Sequence, residues 1–311
     1  MTQTIPFGSR ATADKVLAGI DLTGKQIVVT GCNSGIGFET INALAANGAR
    51  VIGLARSLGD AEYACAKAGP YATPLACDLS DLDSVAAAAE AIRALKTPLD
   101  CIVANAGIAN LPRLRTRYGV ELQFLVNHIG HFALVNELLG TVRNGSGRIV
   151  MVSSSAAATQ APAEGIMFDN LDGRRFYKPF TFYGQSKLAN ALFAKELSRR
   201  LATRGIVANS LHPGATRGTG LNREAGLPLK IALSAARPFM RSAPRAAATQ
   251  ALLAGSPSVA GITGQYWVNC QMAAGNPLLE DADLAKRLWD VSEEIVARHT
   301  TAHPKAMQQA A

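Results

Sequence analysis

Short apolar runs alternate with segments of helical periodicity along most of this chain. Each run is four to six residues long and typical of a strand buried on both faces of a sheet. The segments between the runs repeat apolar residues every three or four positions, as amphipathic helices do. The predicted strands are Gln26–Thr30, Val51–Ala55, Tyr71–Ala76, Cys101–Ala104, Arg148–Val152, Val207–Leu211 and Gly264–Val268.

Helices are predicted between these strands and near both ends of the chain. One follows the first strand and ends near Asn47, and the others cover Thr12–Leu22, Gly59–Ala68, Leu82–Leu95, Val120–Arg143, Phe182–Arg204, Ala243–Ala254 and Leu278–Ala297. Strands that alternate with helices are joined by right-handed crossovers. The pattern therefore predicts a Rossmann-like α/β fold, a doubly wound parallel sheet of about seven strands with helices on both faces.

The same pattern predicts one domain over residues 1–311, because no internal repeat, low-complexity linker or second core interrupts it. Residues 1–24 are interpreted as an N-terminal extension that packs against this domain. Residues 215–242 combine glycine, proline and basic residues without a clean period, which indicates a lid over a substrate. Residues 299–311 are predicted to form a flexible tail.

The composition excludes several classes of protein. The chain is 48% hydrophobic and 17% charged, and no stretch reaches the ~18 to 20 apolar residues of a membrane span. Five scattered cysteines without metal spacing indicate buried thiols in a reducing compartment, so we expect a cytoplasmic protein. The net charge of +8 arises from basic residues that occur singly or in pairs, which argues against nucleic-acid binding.

A glycine-rich turn follows the first predicted strand and precedes a helix. It reads Gly31-Cys32-Asn33-Ser34-Gly35-Ile36-Gly37, with the spacing G-x-x-x-G-x-G. Glycines allow the backbone to approach a pyrophosphate, and the free N–H groups of the helix N-terminus bind it. Between a strand and a helix, the turn predicts a dinucleotide site, whereas a glycine turn alone is often only structural.

The residue after the second strand distinguishes between two nicotinamide cofactors. Folds that bind NAD place an acidic residue here, ~20 residues after the glycines, to hold the ribose 2′-hydroxyl. This chain has Arg56-Ser57 instead, and Asp60 comes too late for the strand end. Because a guanidinium suits a 2′-phosphate, the sequence favours NADP(H) over NAD(H). The alternative is an arginine that only faces solvent.

Tyr183 and Lys187 lie four positions apart, on one face of the predicted helix. An ammonium beside a phenol favours phenolate and lowers a pKa that starts at ~10. The spacing alone also fits an ordinary amphipathic helix, but after a dinucleotide site it predicts a group that handles a proton. By contrast, His128 and His131 have no carboxylate or cysteine at ligand spacing, so packing is favoured over a metal site.

With these residues assembled, the chain resembles the short-chain dehydrogenase/reductase family over nearly its whole length. The matching motifs are Thr30-Gly31-x-x-x-Gly35-Ile36-Gly37, Asn105-Ala106-Gly107, Asn127, the serine run 153–155, Tyr183-x-x-x-Lys187 and Pro213-Gly214. The chain is most similar to the retinol dehydrogenase-like branch, through residues 121–132, 183–190, 212–214 and 264–270. Retinoid-active members of that branch usually carry an N-terminal membrane anchor. We expect none here, which argues against a retinoid substrate.

The resemblance implies catalytic roles for four residues. Tyr183 would be the acid in carbonyl reduction and the base in alcohol oxidation. Lys187 would lower the pKa of Tyr183 and hold the nicotinamide ribose. Ser154 would orient the substrate oxygen, with Ser153 and Ser155 as alternatives. Asn127 would bend its helix around a water that links Lys187 to solvent.

The resemblance also implies a cofactor site along the carboxyl ends of the strands. In addition to Tyr183 and Lys187, this site would comprise Gly31, Asn33, Ser34, Gly35, Ile36, Gly37, Arg56, Asp78, Leu79, Asn105, Ala106, Gly107, Pro213, Gly214 and Thr216. Asp78 and Leu79 would lie beside the adenine, and Thr216 near the carboxamide.

The leading hypothesis is an NADP(H)-dependent alcohol dehydrogenase or carbonyl reductase that uses no metal and acts on a small hydrophobic alcohol, ketone or aldehyde. One alternative is an NADPH-dependent reductase of carbon–carbon double bonds. The other is a non-catalytic NADP(H) sensor, although such proteins often lose the tyrosine or the lysine. The sequence does not choose between a monomer and a homo-oligomer.

Overall fold

Ten strands lie within residues 5–299, the part of the chain that the computed structural model describes. They are β1 (Gln26–Thr30), β2 (Arg50–Ala55), β3 (Ala72–Ala76), β4 (Cys101–Ala104), β5 (Thr116–Arg117), β6 (Val120–Glu121), β7 (Arg148–Val152), β8 (Val207–His212), β9 (Tyr266–Val268) and β10 (Gln271–Met272). Eight of them form one sheet in the order β10-β9-β8-β7-β4-β1-β2-β3, and β5 and β6 form a separate hairpin. The predicted tail beyond residue 299 lies outside the described residues.

The predicted doubly wound α/β sheet is confirmed, with one strand more than expected. All pairs among the seven predicted strands are parallel. The chain builds outward from β1 to β3 and then crosses back to β4 on the other side of β1. The additional strand, β10, is antiparallel to β9 and only two residues long, too short to leave a periodic signal. The turn between them places Asn269 and Cys270 at φ of 58° and 61°.

Eleven α-helices occur among the described residues. They are α1 (Ala13–Leu17), α2 (Gly35–Ala46), α3 (Leu58–Ala68), α4 (Leu82–Ala94), α5 (Leu122–Phe124), α6 (Gly130–Leu138), α7 (Ala156–Thr159), α8 (Pro179–Arg200), α9 (Leu227–Ala236), α10 (Ala243–Gly255) and α11 (Ala282–His299). Short 3₁₀ turns cover Leu139–Thr141, Phe168–Asn170, Ala202–Arg204, Arg237–Phe239, Pro257–Val259 and Pro277–Glu280.

The prediction of one continuous helix over Val120–Arg143 is wrong. Val120 pairs with Arg117 in the small hairpin, and the Glu121 carboxylate accepts a hydrogen bond from the Phe124 N–H at 3.0 Å, which caps α5. A π-helical segment, Leu125–Ile129, separates α5 from α6. Residues 215–242 have no clean period in the sequence, yet they contain the helix α9.

The hydrophobic core lies in two layers, one on each face of the sheet. One layer packs α4, α6, α8 and α11 against the sheet around Phe132, Phe193 and Trp289. The other packs α1, α2 and α10, and Leu17 and Leu22 of the N-terminal extension belong to it. All five cysteines are free and buried, as predicted. The two layers hold the sheet rigid and leave the carboxyl ends of its strands to form a site.

Candidate active site

The glycine-rich turn lies at the carboxyl end of β1, beside the point where the strand order reverses. Gly31 and Gly35 adopt φ of +69° and +54°, a region that favours glycine. A Cβ at Gly37 would overlap the Gly31 carbonyl oxygen, so only glycine fits there. Ser34 is the N-cap of α2 and makes no side-chain cap, which leaves the first N–H groups of the helix free for a ligand. Asn33 and Ile36, also predicted to bind cofactor, are half-buried in this turn.

Arg56 lies at the end of β2 with its side chain exposed. Within residues 5–299, no hydrogen bond or ion pair engages its guanidinium. The nearby acidic residue is committed elsewhere. Asp60 accepts a hydrogen bond from the Ser57 hydroxyl at 2.8 Å and donates its N–H back to that hydroxyl at 3.2 Å, which caps α3. The end of β2 thus offers a free cation and no free carboxylate.

Asp78 and Leu79 follow β3. The Asp78 carboxylate accepts hydrogen bonds from the Ser80 N–H and hydroxyl, at 2.9 and 2.7 Å. Leu79 is buried, and a Cβ at Gly130 would overlap its carbonyl oxygen. The close approach of this backbone explains a glycine in mid-helix, where it costs ~1 kcal/mol relative to alanine.

A buried polar network joins the ends of β1 and β4. The Thr30 hydroxyl oxygen accepts hydrogen bonds from the N–H groups of Asn105 and Ala106, both at 2.9 Å, so its own proton points to His131 Nε2 at 2.8 Å. His131 Nδ1 consequently carries a proton and donates it to the Asn127 carbonyl oxygen at 2.8 Å. Burial lowers the pKa of His131 to about 4 and keeps the ring neutral.

Asn105 itself braces the glycine turn. Its Nδ2 donates to the Thr30 carbonyl oxygen at 2.8 Å, and its Oδ1 accepts from Gln250 Nε2 at 3.3 Å. The side-chain amide therefore ties β4, β1 and α10 together rather than pointing into open space. Asn105 and Ala106 are half-buried at the edge of the site.

Asn127 lies in the π-helical segment, where the Gly130 N–H donates to the Leu125 carbonyl five residues back. Its Oδ1 accepts from the Ile108 N–H at 2.8 Å, and its Nδ2 donates to the Ile108 carbonyl at 2.9 Å. The same Nδ2 donates to Ser186 Oγ at 2.9 Å. Asn127 thereby fixes the segment after β4 against α8. Interruptions of this kind are frequent at functional sites.

Lys187 reaches the same place from α8. A Cβ at Gly107 would lie 3.0 Å from Asn127 Oδ1 and 3.3 Å from Lys187 Nζ, so these two groups flank Gly107. Lys187 Nζ donates to the Val152 carbonyl oxygen at 3.0 Å. Its side chain is buried, which lowers its pKa to about 8.

Tyr183 lies one turn before Lys187 and is also buried. Burial raises the pKa of its phenol to about 12, and a hydrogen bond with the Ser154 side chain opposes this rise. At neutral pH the phenol is therefore protonated. The prediction that Lys187 lowers this pKa is wrong, because burial raises the pKa and the Lys187 ammonium donates to the Val152 carbonyl oxygen.

The three serines after β7 face different partners. Ser153 Oγ is buried and donates to the Lys187 carbonyl oxygen at 2.6 Å. Ser154 is half-buried, bonds the Tyr183 phenol and accepts from the Ala156 N–H at 3.2 Å. Ser155 is exposed, and its N–H donates to His212 Nδ1 at 3.1 Å. Of the three hydroxyls, that of Ser154 lies beside Tyr183.

Pro213, Gly214 and Thr216 follow β8 at the same edge of the sheet. Pro213 is buried, and Gly214 adopts φ of +90° with the Arg241 side chain packed against it. The Thr216 hydroxyl donates to the Gly214 carbonyl at 2.9 Å, and its backbone forms a bridge with Arg241. All predicted site residues thus lie along one edge.

The segment after Thr216 crosses this edge. A Cβ at Gly35 would lie 2.9 Å from Thr219 Cγ2, and the Leu221 carbonyl accepts from the Ala109 N–H at 3.0 Å. Leu221 also packs against a small cluster that contains Tyr183. Residues 219–221 therefore connect the glycine turn to the tyrosine.

Several residues of the site were not predicted from the sequence. Thr30, His131 and Gln250 form the network below the glycine turn, and Ser186 links Asn127 to α8. The Tyr266 hydroxyl donates to the Ser154 carbonyl oxygen at 3.2 Å. Thr30, His131, Ser186 and Tyr266 lie within stretches that carry the family resemblance, which was the available signal; Gln250 does not. The contacts themselves join residues 59 to 145 positions apart, and no local pattern reveals which residues meet.

No group of three or more potential metal ligands occurs among residues 5–299. His128 and His131 are both buried and hydrogen-bonded, the former to Ser292 Oγ at 2.9 Å, which fits side chains packed in the core. Within the same residues, no helix is long and apolar enough to cross a membrane. A cavity of about 430 Å³ near Thr97 and Asn144 lies at the opposite edge of the sheet, away from this site.

Comparisons with known proteins agree with this geometry. Residues 25–167 match the family model described as short chain dehydrogenase. Retinol dehydrogenase 14 of Mus musculus is 37% identical over 297 residues, which cover 88% of this chain and 86% of that protein. The WW domain-containing oxidoreductase of Danio rerio is 37% identical over 95% of this chain and 74% of its own. The chloroplastic short-chain dehydrogenase TIC 32 B of Brassica napus is 37% identical over 93% of this chain and 94% of its own.

Solved structures show the same similarity. An uncharacterized protein from Mycobacterium Paratuberculosis superposes with a TM-score of 0.73 at 30% identity, over 92% of this chain and 97% of that chain. A short chain dehydrogenase from Burkholderia cenocepacia J2315, in complex with NADP, superposes with a TM-score of 0.63 at 28% identity, over 79% of this chain and 96% of that chain.

Proposed function

Since the chain belongs to the short-chain dehydrogenase/reductase family, whose members are oxidoreductases that act on CH–OH or C=O groups with NAD(P), we propose that it interconverts a hydrophobic alcohol and its ketone or aldehyde with NADP(H). One observation supports this more than any other. The Tyr183 phenol is buried beside the Ser154 hydroxyl and one helical turn from Lys187, at the edge of the sheet that carries the glycine turn.

The cofactor would be held along the carboxyl ends of the strands. The glycine turn and the free N–H groups of α2 fit a pyrophosphate, and Gly107 leaves room beside Lys187 Nζ. Asp78, Leu79, Asn105, Ala106, Pro213, Gly214 and Thr216 would complete this site. Arg56 would hold the 2′-phosphate, because its guanidinium is exposed and unpaired among the described residues while the Asp60 carboxylate accepts from the Ser57 hydroxyl. The bound cofactor supplies or accepts the hydride.

The protein's own residues would manage the proton. A carbonyl oxygen bound between Ser154 and Tyr183 would accept hydrogen bonds from both hydroxyls. As charge develops on that oxygen, the phenol would donate its proton, which its raised pKa keeps in place at neutral pH. The Lys187 ammonium, flanked by Asn127, would pass a proton onward.

Residues 215–242 would act as a lid over a hydrophobic substrate. Leu221 packs against the small cluster that contains Tyr183, so this segment brings an apolar side chain to the reacting end of the site. We also propose a cytoplasmic location for the protein, which its five free, buried thiols support. Residues 1–24 would serve as a packing extension of a single domain.

The test is NADPH oxidation with a panel of aryl and alkyl ketones, aldehydes and enones. Tyr183→Phe is expected to lower kcat about 10²- to 10⁴-fold. The control Tyr71→Phe changes an exposed residue at the amino end of β3, away from the site, and should leave kcat unchanged. Unchanged turnover in Tyr183→Phe would exclude the phenol as the acid. A product that keeps its carbonyl would indicate reduction of the double bond, and cofactor binding without oxidation by any substrate would indicate a sensor.

A further inference from the structure

The lid helix α9 buries none of its side chains. Leu227 and Ile231, four positions apart and therefore on one face, are 70% and 62% exposed. Phe239, in the 3₁₀ turn after the helix, is 93% exposed. We refer to these three side chains as the α9 ridge. Leu227 and Ile231 are neighbours on the helix surface and Phe239 follows the helix end within three residues; exposed groups of large apolar side chains usually mark an interaction site.

The helix is apolar on its opposite side as well. Leu229 and Leu233 lie about half a turn from the ridge and are half-buried. A surface helix of a globular protein normally carries polar residues on its outer face. Here the two half-buried leucines already form the face that packs against the protein. The outward ridge therefore packs against nothing in the described chain.

The ridge lies in a basic, acid-poor stretch. From residue 217 to residue 279 the sequence contains a single acidic residue, Glu224, which pairs with Arg115 at 2.5 Å. Six basic residues occupy the first half of that stretch: Arg217, Arg223, Lys230, Arg237, Arg241 and Arg245. None of the six forms an ion pair with a carboxylate within residues 5–299.

We propose that the α9 ridge docks on an anionic phospholipid surface. Helices that lie in a membrane interface insert apolar side chains between the headgroups while flanking basic residues meet the lipid charges. The ridge and its basic neighbours provide both parts. A second copy of this chain fits less well, because an isologous contact through the ridge would bring two like-charged surfaces together.

Docking would also position the site. Leu221, six residues before Leu227, belongs to the cluster that contains Tyr183, so the segment that meets the lipid also reaches the tyrosine. A hydrophobic substrate dissolved in the bilayer would then enter beside the lid. Only this last step depends on the proposed function, since binding to vesicles requires no turnover.

Flotation of the full chain with phosphatidylcholine vesicles, with and without phosphatidylglycerol, tests the proposal. Binding is expected only to the anionic vesicles and should weaken as salt is raised. Lys230→Gln with Arg237→Gln should lower partitioning about 25-fold, from roughly a fivefold loss for each charge. Ile231→Ser with Phe239→Ser should lower it more than tenfold.

Matched controls lie elsewhere on the surface. Arg10→Gln with Lys15→Gln removes two exposed charges near α1, and Tyr71→Ser with Leu95→Ser removes two apolar side chains that are 55% and 47% exposed. Both control pairs should bind vesicles like the unchanged protein. Absence of binding to anionic vesicles, or equal losses in ridge and control variants, would overturn the proposal. So would a dimer in solution that the ridge variants dissociate, because the ridge would then be a contact between two copies.

Discussion

The buried, charged side chain of Lys187 destabilises the folded protein, and its lowered pKa gives the size of the effect. The residue is 2% exposed, and burial lowers its pKa from an ordinary value of 10.5 to about 8. That difference corresponds to about 3 kcal/mol against the charged form in the folded protein. At pH 7 the lysine is charged in both the folded and the unfolded chain, so the folded protein bears the full cost.

Lys187→Met is therefore expected to raise the free energy of unfolding at pH 7 by about 2 kcal/mol. This value is the cost of about 3 kcal/mol less about 1 kcal/mol for the lost hydrogen bond to the Val152 carbonyl. That carbonyl oxygen keeps a second donor, Asn190 Nδ2 at 3.1 Å, and is not left unpaired. Turnover should fall at least a hundredfold in the same variant, since the proposed proton path is broken.

The dependence on pH gives this prediction a second, independent signature. Between about pH 8 and pH 10.5 the unfolded chain binds the lysine proton and the folded chain does not, so this group adds stability as pH rises. From pH 7 to pH 10 the unchanged protein should gain about 2.5 kcal/mol relative to Lys187→Met. The other titratable groups contribute equally to both proteins, so their contributions cancel in the difference between the two free energies of unfolding.

Urea unfolding followed by tryptophan fluorescence at several pH values measures both quantities. Lys195→Met serves as the control, because this lysine lies on the same helix but is paired with Glu280 at 2.9 Å. Lys195→Met should not be more stable than the unchanged protein at pH 7, and the difference between their free energies of unfolding should not change with pH. Two results would refute the reasoning. One is a Lys187→Met protein that is less stable than the unchanged protein at pH 7. The other is a difference in free energy of unfolding between the two proteins that does not narrow towards pH 10.

Two further predictions concern the cofactor and the network below it. Arg56→Asp should weaken NADPH binding about 10- to 100-fold, through loss of a charge-assisted contact, and change NADH binding little; an equal loss for both, measured by titration, would contradict a 2′-phosphate role. Thr30→Val should lower the free energy of unfolding by about 2 to 4 kcal/mol, since two backbone N–H groups and one histidine nitrogen lose their partner. The exposed Thr73→Val on β3 is the control for urea unfolding, and equal stabilities of the two variants would argue against the network.

The sequence alone determined the sheet, the glycine turn and the tyrosine–lysine pair. Strands such as Cys101–Ala104 are buried on both faces, so a continuous apolar run marks them without help from distant residues. The glycines of the turn are required by backbone angles and by close contacts within a few residues of the chain. Tyr183 and Lys187 share a face because the helix repeat is a local property.

The tertiary structure alone decided how these pieces meet. The π-helical segment around Asn127 has the same apolar periodicity as an ordinary helix, and its hydrogen bonds to Ile108 and Ser186 come from other elements. Leu221 and Leu227 are both apolar residues of one segment, yet the first packs against the cluster that contains Tyr183 and the second is 70% exposed. In an irregular segment, the sequence does not predict which residues a hydrophobic side chain will contact. That depends on contacts between residues distant in the chain, which only the folded structure defines.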